Sequence, residues 1–213
     1  MDAKAAAPGY GWGALLRHVP LSVTRMRRVT REMQASGIDE RWRFIAIASS
    51  AFMMAAESVA LEAYQPDRLL DDWRAEYGEA ATLAGYLVLG IVIVYALAAL
   101  LHVTFRIARR GTTFADMRTA MAASGYPQIV LSFINLAIIG LAASAGEDWR
   151  APALSAIEAS LIVAMALAIG YGVVAVSAAT GVPTLQILGL QLIASLGAVA
   201  AVAAGAWAVA LVI

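Results

Sequence analysis

Five long apolar runs, separated by short polar stretches, dominate the chain. They fall at about 44–64, 80–105, 128–144, 152–178 and 185–213. Runs of this length with at most one or two charges have the signature of membrane-spanning helices. The expected fold is all-α: an integral membrane bundle of five transmembrane helices with amphipathic helices at its interfaces. The third run, 128–144, is the shortest. At 1.5 Å per residue it reaches roughly 26 Å, so it is expected to stand nearly upright or be shielded by its neighbours.

Three polar stretches carry a helical period of their own. Val19, Val23, Met26 and Met33 recur on one face, while Arg25, Arg27, Arg28 and Arg31 fill the positions between them. This predicts a basic amphipathic helix with Pro20 in its first turn, lying on an anionic membrane surface or packed against a partner. Residues 1–10 read as a loose terminus. Gly37 and Ile38 end the helix, and Asp39 is placed to cap the next one. Leu69, Leu70, Trp73 and Tyr77 predict a second, short amphipathic helix after the first span. In the central stretch, Thr113 and Asp116 resemble a capping box, and Phe114, Met117 and Met121 line one side of a helix of about ten residues. Gly125-Tyr126-Pro127 is expected to end that helix and start the third span.

Composition sharpens the class. Of 213 residues 62% are apolar, against about 45–50% in a soluble domain, and the mean hydropathy is +0.76. The absence of cysteine rules out disulfides, a thiol nucleophile and thiolate metal ligands, and the two histidines are too few to hold zinc or haem unaided. No cofactor is expected. No cleavable leader is evident, so the first span is expected to act as its own insertion signal.

Net charge is +0, but it is sharply segregated. Lys4, Arg17, Arg25, Arg27, Arg28, Arg31, Arg41 and Arg43 precede the first span. Arg106, Arg109, Arg110 and Arg118 lie in the second-to-third loop, on the same side if five spans are counted. Only Arg68, Arg74 and Arg150 lie opposite. The positive-inside rule then predicts a cytoplasmic N-terminus and a periplasmic C-terminus in a bacterial inner membrane. The chain divides into a basic cytoplasmic segment, 1–43, and a membrane domain, 44–213. Orientation accounts for the basic residues, so the expected partners are membrane lipids and other membrane subunits or a second copy, with no nucleic acid.

Ionisable residues inside spans are functional candidates by default. Glu57 lies 14 residues after Arg43, roughly 21 Å in from one edge. Glu158 lies 8 residues after Arg150, roughly 12 Å in from the other. The two are therefore expected at similar depth. They read as a carboxylate pair that shares a proton or binds a cation, as separately satisfied carboxyls, or as contacts to a partner subunit or pigment. His102, one turn from the second span's exit, reads as an interfacial hydrogen-bonder, with a porphyrin or chlorophyll magnesium as the alternative. Asn135 reads as a helix–helix hydrogen bond. Gly197, Ala201 and Gly205, at i+4 spacing, and Ala164 with Ala168 form small-residue stripes for close packing. No metalloprotease, nucleotide-binding, serine-hydrolase or redox-cysteine motif occurs, and the expected protein is not an enzyme.

Several of these features together resemble the bacterial branch of the Yip-domain family. They are Asp39-Glu40-Arg41-Trp42-Arg43 before the first span, His102 and a basic loop after the second, and the helix from Gly111 to Arg118 leading into Gly125-Tyr126-Pro127. The resemblance covers about residues 38–213. It implies five helices, a cytoplasmic N-terminus and a short outer C-terminus. Eukaryotic members of the family bind small GTPases and carry an Asp-Leu-Tyr-Gly-Pro motif. Here Gly37-Ile38-Asp39-Glu40-Arg41 stands instead, so that property does not carry over, and no catalytic residue transfers. The functional expectation is a non-enzymatic scaffold or accessory subunit of a membrane complex, with a small transporter or channel using Glu57 and Glu158 as the alternative.

Overall fold

In the computed structural model, residues 10–64, 71–108, 110–144 and 150–192 are described. Every regular element among them is an α-helix: α1 Trp12–Ala35, α2 Glu40–Tyr64, α3 Asp71–Ile107, α4 Phe114–Ser144, α5 Arg150–Thr180 and α6 Thr184–Leu192. Three stretches are long and apolar enough to cross a membrane: Glu40–Leu61, Tyr77–Ile107 and Phe114–Ser144. A fourth candidate is a bent pair, Ala166–Thr180 and Thr184–Leu192, which turns by 118°. The chain is a multi-pass membrane protein by this measure. Residues 193–213, with Gly197, Ala201 and Gly205, lie outside the described residues, as does Arg109.

Local chemistry sets most boundaries. α1 closes in a Schellman motif: Ile38 N–H donates to the Met33 carbonyl, Gly37 N–H donates to that of Gln34, and Gly37 takes φ +63°. The motif's usual apolar contact is present, since Met33 and Ile38 are both buried. Asp39 then caps α2 by accepting from Trp42 N–H at 3.0 Å. Thr113 and Asp116 form a reciprocal capping box at the start of α4. Gly78 (φ +79°) separates a first helical piece of α3 from the long apolar one, where the sequence places the end of the second amphipathic helix. Gly181 (φ +70°) ends α5, and the Pro183 carbonyl accepts the first bonds of α6.

Two local expectations are corrected. Gly125-Tyr126-Pro127 does not break the chain: α4 runs through it as one helix of 31 residues, replacing the expected short helix and the 128–144 span. The reason is tertiary. Gly125 packs against α2, where an added Cβ would sit 2.6 Å from Ser50 Oγ and 2.9 Å from Ser50 Cβ. It is a close-approach glycine, not a C-cap. Pro127 removes one backbone donor, a loss that buried membrane helices tolerate when neighbours pack around it. Gly90 of α3 makes a similar approach to Ala51, so small residues of α2 meet both neighbours at one level. The second correction concerns α1. It starts at Trp12, which puts Pro20 in its interior, and it kinks at Arg25 (φ −134°, ψ 40°).

α1 lies against α4 and α5. Its buried face is Leu15, His18, Ser22, Met26, Val29, Thr30 and Met33, while Val23 is exposed and Val19 half-buried. Ser22 and Thr30 satisfy their hydroxyls on the carbonyls of Val19 and Met26, which allows polar residues on this face. The main core gathers beneath α1, where Met33, Ile47, Phe105, Met117, Tyr126 and Val176 are fully enclosed. Tyr10, expected in a loose terminus, belongs to this core. Gln34 fastens the junction, donating to both Asp116 Oδ1 and the Ala179 carbonyl.

Candidate functional site

Glu57 lies in the middle of α2 and is 4% exposed. Ser132 Oγ donates to its Oε2 at 2.6 Å, and Asn135 Nδ2 donates to its Oε1 at 2.5 Å. Ser132 and Asn135 are three apart on α4, hence on one face. The Asn135 carbonyl oxygen in turn accepts from Ser160 Oγ of α5 at 2.7 Å. One carboxyl group thus ties three helices, and none of its partners carries a charge. A carboxylate in an apolar medium needs such donors, because an unpaired one is very costly to bury. Ser160 Oγ also lies 2.8 Å from the Ile157 carbonyl, so its one proton is shared between the two acceptors. The hydroxyl at Oε2 has no fixed direction. A hydroxyl can donate to a carboxylate oxygen or accept from a carboxylic acid.

The sequence marks Glu57 and Asn135 separately, and the structure joins them. Glu158 lies in α5, two residues before Ser160, but its side chain is outside the described residues. The expected pairing of the two glutamates is therefore left without structural support. Just beyond this network Leu61, Ile139 and Ile157 form a small apolar cluster that closes it on one side.

A second polar chain runs beneath α1. Tyr126, fully enclosed in α4, lies 2.7 Å from the Tyr10 hydroxyl. Tyr10 lies 3.1 Å from His18 Nδ1, and His18 Nε2 lies 3.0 Å from Glu32 Oε2. Glu32 is also held by Arg28 at 2.6 Å and Arg17 at 3.4 Å. Hydrogen bonding from Arg28, then from His18, draws the Glu32 carboxyl below its usual range. Glu32 is therefore an anion at neutral pH and can only accept. That fixes His18 as the Nε2–H tautomer, with Nδ1 accepting from Tyr10 and Tyr10 accepting from Tyr126. Burial pushes the Tyr10 phenol up and is the largest influence on His18, holding its pKa down against the upward pull of Glu32.

A third group sits where α2, α3 and α4 meet. The Glu40 carboxylate receives Arg118 at 2.6 Å, Tyr95 at 3.1 Å and Arg43 at 3.2 Å, and Arg43 Nε also donates to Thr119 at 2.9 Å. His102 rests against Phe114, with ring centroids 5.9 Å apart, and its Nδ1 is buried without a partner.

The remaining sequence candidates are dispersed. Arg25, Arg31 and Arg106 are exposed. Arg27 donates to Thr184 and Arg110 to Gln186, so both clasp α6. Among the described residues no group of three or more histidine or acidic side chains is placed to hold a metal ion. Tyr10, His18 and Tyr126 were not legible as a site, because 116 residues separate the two tyrosines. The single signal was a histidine on a largely apolar helix face that also carries Ser22 and Thr30.

Comparison with protein-family models, with curated proteins and with solved structures found no match.

Proposed function

We propose that the chain is a five-span, non-enzymatic protein of the bacterial inner membrane, of the Yip-domain kind, and that it serves as a scaffold or accessory subunit of a larger membrane assembly. Its N-terminus and α1 face the cytoplasm, as the distribution of basic residues favours. The observation that carries the reading is the contrast between a closed polar interior and an open flank. Glu57, Ser132, Asn135 and Ser160 satisfy one another. Along α3, only 11% of the apolar window is buried, with Val88, Leu89, Val92, Ile93 and Leu97 exposed. A long helix so weakly engaged by its own bundle suits a protein whose neighbours are lipid and other subunits. Extraction of native membranes into lipid nanodiscs tests this. The chain should be recovered in a particle well above its own 22.3 kDa plus lipid. A monodisperse monomer from native membranes rejects the subunit role.

One observation favours the transport alternative. Glu57 is a buried carboxyl group in a candidate span, and its two partners, Ser132 and Asn135, are neutral. Proton or cation flux into liposomes that is lost in Glu57→Gln supports that alternative, and unchanged flux removes it.

A further inference from the structure

Among the described residues, three buried side-chain polar atoms have no partner: His102 Nδ1, Thr112 Oγ1 and Arg118 Nε. All three belong to residues along one passage of the chain, from the end of α3 into the first turns of α4. His102 and Arg118 both rest against the ring of Phe114, the arginine carbon Cζ 4.5 Å from its centroid. Thr112 lies two residues before Phe114 in the connecting loop. A buried polar atom left unpaired costs about 1–3 kcal/mol, so three in one segment mark a missing partner.

The atoms specify its chemistry. Arg118 Nε is a donor only, so the partner must accept. The threonine hydroxyl and the imidazole Nδ1 can each donate as well. Charge points the same way. Two guanidinium groups, Arg43 and Arg118, share the single carboxylate of Glu40, which leaves one positive charge in surplus, and exposed Arg106 lies one turn beyond His102. We propose that the α3–α4 junction binds a phosphate oxyanion, with Arg118 Nε as the fixed donor and Thr112 and His102 as its companions. The junction terminates two apolar helices of spanning length, where the phosphate of an anionic phospholipid lies. A free phosphate monoester in solution presents the same oxygens. The site does not depend on the scaffold role, since it needs only that the ends of α3 and α4 reach the membrane edge.

The test uses the full chain in nanodiscs of phosphatidylcholine carrying a minority of phosphatidylglycerol. Native mass spectrometry of the released protein counts retained lipids, with glycerol phosphate added in a parallel arm. The expected result is one phosphatidylglycerol held in preference to phosphatidylcholine. Occupancy should fall several-fold in Thr112→Val and His102→Phe, and at least as far in Arg118→Lys, which keeps the charge but loses Nε. Thr112→Val changes one loop hydroxyl, so it reads the site even where an Arg118 variant folds poorly. Displacement of the lipid by millimolar glycerol phosphate also supports the site and assigns it to a soluble phosphate. Equal retention of both lipids with no glycerol phosphate bound, or occupancy unchanged in all three variants, overturns the proposal and leaves water as the missing partner.

Discussion

The two hydrogen-bonded chains of this molecule are built from similar parts and end differently. In the membrane interior, Glu57 is met by Ser132 and Asn135, and the chain ends at Ser160 on neutral groups. Under α1, the chain starts at an enclosed hydroxyl, Tyr126, and leads through Tyr10 and His18 to Glu32, which is flanked by two arginines. The first contains no ion pair among its described members and ends at the half-buried Ser160. The second is open at one end, so its protonation follows the pH outside. A buried acid whose partners are all neutral acts as a clamp between helices, while an interior hydroxyl tied to an exposed ion pair reports on its surroundings.

Removing a partner from the interior chain should have the largest effect. Asn135→Leu strips Oε1 of its donor and leaves a buried carboxyl half satisfied, while Ser160 keeps the Ile157 carbonyl. Leaving a buried polar group unsatisfied costs about 1–3 kcal/mol and more for a charged one, and hydrogen bonds between membrane helices average about 0.6. We expect a loss of about 2–3 kcal/mol on unfolding in mixed detergent micelles. Glu57→Gln keeps the shape and an oxygen, and should lose about 1 kcal/mol or less. If Asn135→Leu loses no more than Glu57→Gln, Glu57 is not held as a clamp and the contrast between the two chains disappears.

A smaller loss, about 1–3 kcal/mol, is expected from Gly125→Ala, whose Cβ would press on Ser50. Since the Ser50 Cβ itself is only 2.9 Å away, Ser50→Ala should not relieve it, whereas Ser50→Gly in the same chain should recover most of the loss. Recovery by Ser50→Ala would show that the hydroxyl alone sets the approach of α2 and α4. This contact also positions both polar chains, because Tyr126 and Ser132 follow Gly125 along α4 and Glu57 lies two turns after Ser50 on α2.

That contact explains what the sequence could and could not reveal. Signals acting over three or four residues were readable: the Asp39 cap, the Thr113–Asp116 box, and the glycine terminator at 37. Helical membrane character was readable from apolar runs, because it depends on composition and length. Gly125 and Pro127 misled because the same two residues serve as a helix break in water and as a packing notch between membrane helices. Glu57 and Asn135 were each conspicuous, but pairing them requires the register between α2 and α4, which is set by a glycine facing a serine 75 positions earlier. The Tyr10–Tyr126 contact was out of reach for the same reason.

The smallest effect, and the one that bears most directly on the open chain, is its response to acid. His18 has its pKa held below the ordinary imidazole value of 6.5, mainly by burial. The folded protein therefore binds this proton less readily than the unfolded chain. The stability linked to His18 is complete above about pH 6.5, and it is lost as pH falls from there toward the folded value. Glu32 begins to lose its contribution only at lower pH, because its carboxyl is drawn below 4.5 by Arg28 and His18. Protonating His18 has a specific consequence. Nδ1 becomes a donor to the Tyr10 oxygen, so the Tyr10 or the Tyr126 proton loses its acceptor within this chain. The thermal midpoint in detergent should therefore fall between pH 7.5 and 5.5, and nitrogen NMR should find the Nε2–H tautomer of His18 at the upper end. His18→Gln, which does not titrate, should start lower and stay level. The same slope in that variant would show that the acid response does not come from His18.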